Sequence, residues 1–163
     1  MIRGGPMTRT RDLPVFPIAP EPVRPDVDAT ASAVHLKIGP TGDENGPRIG
    51  LVTLGCDKNT VDSERMMAAL VGNGARVSSH LDDAEVVIIN TCGFIQAAKE
   101  QSIETILEAC DLKAAGGLKA VVAVGCLVQR HGSELQSEIP EVDLFLGLSE
   151  LSTLVPELRK RGL

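Results

Sequence analysis

From residue 48 onward, short hydrophobic runs alternate with segments in which apolar residues recur at helical spacing. The runs at 85–90 (EVVIIN) and 119–124 (KAVVAV) show no alternation of polar and apolar positions. Such runs are typical of parallel strands that are buried on both faces. Three further segments are predicted to be strands, at 48–54, at 142–146 and, more weakly, at 75–79.

The segments between these strands have helical periodicity. Helices are expected over 62–71 with Asp62 as the N-cap, over about 96–115, over 128–138, and from near 149 to the end. In the second helix Cys110 shares one apolar face with Ile103 and Ile106, so we expect it to be a core thiol. Strands that alternate with helices predict an α/β fold. We expect a doubly wound, mostly parallel sheet of four to five strands with helices on both faces, similar to flavodoxin or Rossmann folds.

The first 47 residues differ in character from the rest. They hold eight of the ten prolines and a single aromatic residue, Phe16, and they lack a periodic apolar pattern. Such a segment buries too little apolar surface to offset the entropy lost on ordering. We therefore predict a disordered, Pro-rich extension over 1–47 and one folded domain over 48–163.

Composition excludes some classes of function. The net charge is -6 and aromatic residues make up 2% of the chain, so direct binding to nucleic acid by this domain is not expected. There is no apolar run of the roughly 18 to 20 residues that a membrane span needs, and we expect a cytoplasmic protein. In that compartment cysteines serve as thiols or metal ligands more often than as disulfides.

Three of the four cysteines, Cys56, Cys92 and Cys126, follow closely after predicted strands. The carboxyl ends of parallel strands lie along one edge of a sheet, where ligands bind, so we expect these residues to converge in space. Each has a glycine neighbour, and glycine allows a sharp turn and a close approach to a bulky ligand.

Thiolates select iron–sulfur clusters, zinc or copper(I). A structural zinc site needs four ligands, usually with CxxC pairs, and the chain has no CxxC and no evident fourth ligand in His80 or His131. A 4Fe-4S cluster held by three cysteines fits the count best, while burial of unliganded thiols in the core stays an alternative. Asn59, Asn90 and Gln129 flank the cysteine loops and are candidates for hydrogen bonds to sulfur or to loop backbone.

Four segments around these cysteines resemble the N-terminal domain of the radical-SAM methylthiotransferase family. They are LGCDKNTVDSERM (54–66), NTCGFIQAAKEQSIETILE (90–108), VGCLVQRHGSEL (124–135) and IPEVDLFLG (139–147). Lys58-Asn59 and Gly93-Phe94-Ile95 make the chain most similar to the RimO type, which modifies an aspartate of a small-subunit ribosomal protein, rather than to the tRNA-modifying type. Asp57 departs from that type, which usually has Pro at this position.

The resemblance implies that Cys56, Cys92 and Cys126 hold an auxiliary 4Fe-4S cluster, which donates the methylthio group. It also implies a partner radical-SAM domain that binds S-adenosylmethionine, and a TRAM domain, neither of which is recognisable in these 163 residues. We therefore expect an incomplete part of a transferase that is inactive alone and acts on a ribosomal protein. The alternatives are a non-catalytic iron–sulfur or zinc-binding α/β module and a fragment of a tRNA methylthiotransferase.

Overall fold

A six-stranded sheet organises the protein in the computed structural model, which describes residues 40–81 and 83–163. Its strands are β1 (Thr41–Gly42), β2 (Arg48–Thr53), β3 (Arg76–Ser78), β4 (Val86–Thr91), β5 (Ala120–Gly125) and β6 (Leu144–Leu146). The helices are α1 (Asp57–Gly72), α2 (Gln96–Ala114), α3 (Cys126–Glu138) and α4 (Leu154–Lys160), the last preceded by a 3-10 segment, Leu148–Thr153.

The strand order β1-β3-β2-β4-β5-β6 confirms the predicted doubly wound topology. All neighbouring pairs are parallel except β1 and β3. Without β1, the order is the 2-1-3-4-5 arrangement of flavodoxin-like folds, in which chain direction across the sheet reverses between the first and third strands. The topological switch point of this protein therefore lies between β2 and β4.

Helices cover both faces of the sheet, as predicted. β4 and β5 are buried along their whole lengths, which explains why their sequences lack polar alternation. One face packs against α2 and α3, and the other against α1 and α4. The helical residues in these two cores include Ile103, Ile106 and Leu127 on the first face and Met66, Leu70 and Leu154 on the second. Cys110 is buried in the first core, in agreement with its predicted role.

Two predicted helix starts were wrong, and both errors concern the cysteines. Helix α1 begins at Asp57 with Cys56 as its N-cap, so Asp62 is a buried residue inside the helix and does not cap it. Helix α3 begins at Cys126, directly after β5, rather than at Val128. The first prediction relied on a polar cap residue, Asp62, whereas a cysteine stands at the start of both helices.

The sheet has one more strand than the upper limit of the prediction. β1 lies within the segment predicted to be disordered, and it pairs with Arg76 and Val77 of β3. A strand of two residues, Thr41 and Gly42, has no hydrophobic period by which the sequence could reveal it. The rest of the predicted extension, residues 1–39, lies outside the described residues. Within the part that is described, no helix is both long and apolar enough to cross a membrane.

The packing of α2 makes a testable prediction. Ile106→Ala removes a side chain that is fully buried in the first core, and we expect it to lower the free energy of unfolding by about 2–5 kcal/mol. Leu112→Ala, on the same helix but 48% exposed, serves as the control and should change it by less than about 0.5 kcal/mol. Urea unfolding followed by circular dichroism measures both. Equal losses for the two variants would contradict the assignment of the buried face.

Candidate metal centre

The three predicted ligands all stand at the carboxyl edge of the parallel strands. Cys56 follows β2 as the N-cap of α1, Cys92 directly follows β4, and Cys126 directly follows β5. β2 and β4 flank the switch point of the sheet, where open α/β folds bind their ligands. Cys92 is buried, Cys126 is half-buried and Cys56 is exposed.

Cys92 and Cys126 are in direct contact. The Cys92 thiol hydrogen-bonds to the sulfur of Cys126, which also accepts the backbone N–H of Gly93 at 2.9 Å. With the positive charge of Arg130 nearby, these donors lower the pKa of Cys126 to about 6. The same thiol–thiol bond, together with burial, raises the pKa of Cys92 well above its usual range. Of the two sulfurs, Cys126 is the one whose surroundings favour the thiolate.

Gly55 brings the Cys56 loop against the Cys92 side chain. A Cβ atom at this position would collide with both Cβ and Sγ of Cys92, and the backbone of Gly55 has a positive φ of 92°. Only glycine accommodates both the contact and the conformation without strain. Cys56 also has a small electrostatic effect that raises the pKa of Cys92. The first two cysteine loops thus pack tightly together.

Among residues 40–81 and 83–163, no three side chains of His, Cys, Asp or Glu are grouped so as to hold one metal ion. Thiolates at Cys56, Cys92 and Cys126 would be soft donors, which suit both iron–sulfur clusters and zinc.

Neither His80 nor His131 is placed as a fourth ligand beside the cysteines. His131 contacts Glu134 on the same helix at 3.0 Å. His80 lines a separate cavity of about 250 Å³ with Arg48 and Arg76. Neither of these contacts involves a cysteine loop.

Two of the predicted polar neighbours, Asn59 and Asn90, lie between the cysteine loops and are buried. The side-chain amide of Asn59 donates to the carbonyl of Leu54 at 2.6 Å and to that of Thr91 at 3.0 Å. The amide of Asn90 donates to the backbone carbonyl of Asn59 at 2.9 Å and to the hydroxyl of Ser63 at 3.0 Å. Both amides thus bond the backbone around the cysteines rather than a sulfur.

The third predicted polar neighbour, Gln129, lies in the first turn of α3 and bonds a different part of the chain. Its side-chain oxygen accepts the backbone N–H and the hydroxyl of Ser149, each at 3.2 Å. This contact joins α3 to the 3-10 segment after β6, and it does not involve the cysteine loops.

Sequence reasoning missed Ser102, which holds the backbone of Cys92. The hydroxyl of Ser102 accepts the N–H of Cys92 at 2.9 Å and donates to its carbonyl at 3.2 Å. The one available signal was a serine beside Ile103 and one turn from Ile106, on the face of α2 that packs into the core. Thr91 was missed as well, and its hydroxyl donates to the carbonyl of Val124 at 2.6 Å, which links the second loop to the third.

Comparison with known proteins agrees with the motifs. The model of a family described as uncharacterized protein family UPF0004 matches residues 48–147. The ribosomal protein uS12 methylthiotransferase RimO of Syntrophomonas wolfei is 52% identical over 106 residues, which are 65% of this chain and 24% of that protein. The RimO of Solibacter usitatus is 45% identical over 108 residues, or 66% of this chain and 23% of that protein.

A third relative, the RimO of Chlorobium luteolum, is 47% identical over 118 residues, or 72% of this chain and 27% of that protein. The chain thus spans about a quarter of the length of the curated relatives it matches. The chain belongs to the UPF0004 family, and the predicted resemblance to the N-terminal domain of RimO-type methylthiotransferases is confirmed.

Proposed function

We propose that this chain is the cluster-holding N-terminal domain of a ribosomal protein methylthiotransferase. The observation that carries the proposal is the meeting of three cysteine loops at the carboxyl edge of β2, β4 and β5, beside the switch point. The relatives named for modification of ribosomal protein uS12 are similar over this same region. The substrate class is accordingly a ribosomal protein, with an aspartate side chain as the acceptor.

In this proposal Cys56, Cys92 and Cys126 hold an auxiliary 4Fe-4S cluster, which supplies the methylthio group when bound. The chain's own residues prepare the ligands. The N–H of Gly93 and the charge of Arg130 stabilise anionic sulfur at Cys126, and Ser102 fixes the backbone of Cys92 from both sides. The side-chain amides of Asn59 and Asn90 support the loops by bonding backbone carbonyls, whereas Gln129 bonds Ser149.

The partners in the proposal are other parts of a longer enzyme. The relatives are about four times as long as the matched region. In this proposal a radical-SAM domain forms the radical from S-adenosylmethionine, and a TRAM domain assists it. Phe94 and Ile95 directly follow Cys92-Gly93 and are 71% and 44% exposed. The chain has only three aromatic residues, all Phe, and Phe94 is one of them. This apolar pair beside the cysteines fits a contact with such a partner. We propose that the isolated chain is inactive. We also propose that it is located in the cytoplasm.

The alternatives have less support. A zinc module would need a fourth ligand, which neither His80 nor His131 provides from its position. A tRNA-modifying fragment does not match the substrate named for the similar relatives. A non-catalytic iron–sulfur module would share the cysteine site but would not explain similarity at this level to transferases.

The first prediction of the proposed function concerns iron. Anaerobic reconstitution of the whole chain with iron and sulfide should give about four irons per chain, with the visible and EPR spectra of a 4Fe-4S cluster. Cys56→Ser, Cys92→Ser and Cys126→Ser should each lose this iron, because each removes one of three ligands. Cys110→Ser, the same substitution in the core, should retain it.

Two results would contradict the cluster assignment. One is stoichiometric zinc with no uptake of iron, and the other is equal loss of iron in the Cys110 variant. Circular dichroism of each metal-free variant shows whether the fold is preserved.

The contact at Gly55 makes a second prediction. Gly55→Ala should lower the free energy of unfolding by about 1–3 kcal/mol, since the new Cβ meets Cys92 in a strained backbone conformation, and it should reduce the bound iron. Gly72→Ala is the control, because a Cβ there meets nothing within 4 Å at the end of α1. That variant should be stabilised by about 0.4–1 kcal/mol and bind iron normally. Normal iron binding by Gly55→Ala would argue against the tight packing of the two loops.

A chimera tests the substrate. Residues 48–147 replace the matching region of the Syntrophomonas wolfei relative, and mass spectrometry then follows methylthiolation of uS12. We expect modification of uS12 by the chimera, none by the chimera with Cys92→Ser, and none by the isolated chain. Modification of tRNA instead of uS12 would refute the substrate class and favour the tRNA-modifying alternative.

A further inference from the structure

We propose that Asn59 is a positioning residue that sets the spacing between the Cys56 and Cys92 loops for the cluster, an inference that rests on the proposed function. Asn59 is 2% exposed and lies in the first turn of α1, directly after the Cys56 loop. Its side-chain amide donates one hydrogen bond to each of the two strands that flank the switch point. The acceptors are the carbonyl of Leu54, just before Gly55-Cys56, and that of Thr91, just before Cys92.

These two carbonyls lie where the parallel ladder ends. The pairing between β2 and β4 ends at Thr53 and Asn90, so Leu54 and Thr91 stand where these two strands diverge toward the cysteine loops. A buried carbonyl needs a hydrogen-bond donor, and one planar amide that serves both carbonyls fixes the distance between them. The side chain of Asn59 therefore links the chain after β2 to β4 at the position that follows their last backbone pair.

The position of Asn59 is itself fixed by the same strand ends. Its backbone carbonyl accepts the side-chain amide of Asn90, the last residue of β4 that pairs with β2. Thr91 then connects to the third loop through its bond to Val124. Displacement of Asn59 should therefore shift the first cysteine loop relative to the other two, which remain joined. Residues that orient metal ligands in this way tune both the affinity and the electronic properties of a centre.

Two substitutions and one control test this role in the whole chain. Asn59→Ala removes both donors, and Asn59→Asp keeps the shape but directs an oxygen at two carbonyl oxygens. Ser63→Ala is the control, because Ser63 belongs to the same buried network through Thr53 and Asn90 but makes no bond to a cysteine loop. Urea unfolding measures how much each substitution destabilises the fold. Three further readouts follow: the rate of iron release to a chelator, the EPR spectrum with the midpoint potential, and hydrogen exchange of the metal-free protein.

We expect both Asn59 variants to release iron about 10 to 100 times faster than the unmodified protein, with a changed EPR spectrum and a shifted midpoint potential. In the metal-free protein the peptides that contain residues 54–56 and 91–93 should exchange faster. Ser63→Ala should keep the EPR spectrum, the potential and the exchange of these peptides, even if it unfolds at a lower urea concentration.

Unchanged iron release and an unchanged spectrum in the Asn59 variants would overturn the proposal. It would also be overturned if Ser63→Ala produced the same changes, since general loss of stability would then explain them. Failure of the unmodified chain to bind iron refutes the proposed function instead. In that case hydrogen exchange still decides the positioning claim, which falls if the two loop peptides exchange normally in Asn59→Ala.

Discussion

The parallel register of β2, β4 and β5 is the constraint on which the rest of the site depends. Thr53 lies opposite Asn90, and Thr91 lies opposite Gly125, so the three strands end at nearly the same level. Residues that follow these ends are brought together whatever their separation in the sequence. The register is in turn secured by burial, because a parallel sheet covered on both faces cannot slip without moving its apolar side chains out of two cores.

Strand ends that meet at a buried edge create a demand for hydrogen bonds. The ladder stops there, and the carbonyls that follow it are removed from water. Side chains from the helices supply several of these hydrogen bonds. The amide of Asn59 in α1 donates to the carbonyls of Leu54 and Thr91, and the hydroxyl of Ser102 in α2 accepts the N–H of Cys92. The helices therefore do more than cover the sheet, since they also determine how far the cysteine loops can spread.

The sequence was sufficient for five of the six strands and for the doubly wound class of the sheet, because long apolar runs in β4 and β5 report burial on both faces. It was not sufficient for β1, which has two residues and no period, or for the start of α1 at Asp57. The function of Ser102 was also hidden, since its contact with Cys92 joins positions ten residues apart across a loop and a helix turn. Local patterns reveal the faces that are buried, whereas they do not reveal which backbone group a buried polar side chain reaches.

The three cysteines differ in exposure, so the site is accessible from one side only. Cys92 is buried and held by Ser102, Cys126 is half-buried, and Cys56 is exposed at the start of α1. The exposed apolar pair, Phe94 and Ile95, follows Cys92 on the same edge. One side of the site is therefore rigid and closed by the protein's own core, and the other side is open and apolar. In the proposed function, the open side is where the rest of a longer enzyme would reach the group that the cysteines hold.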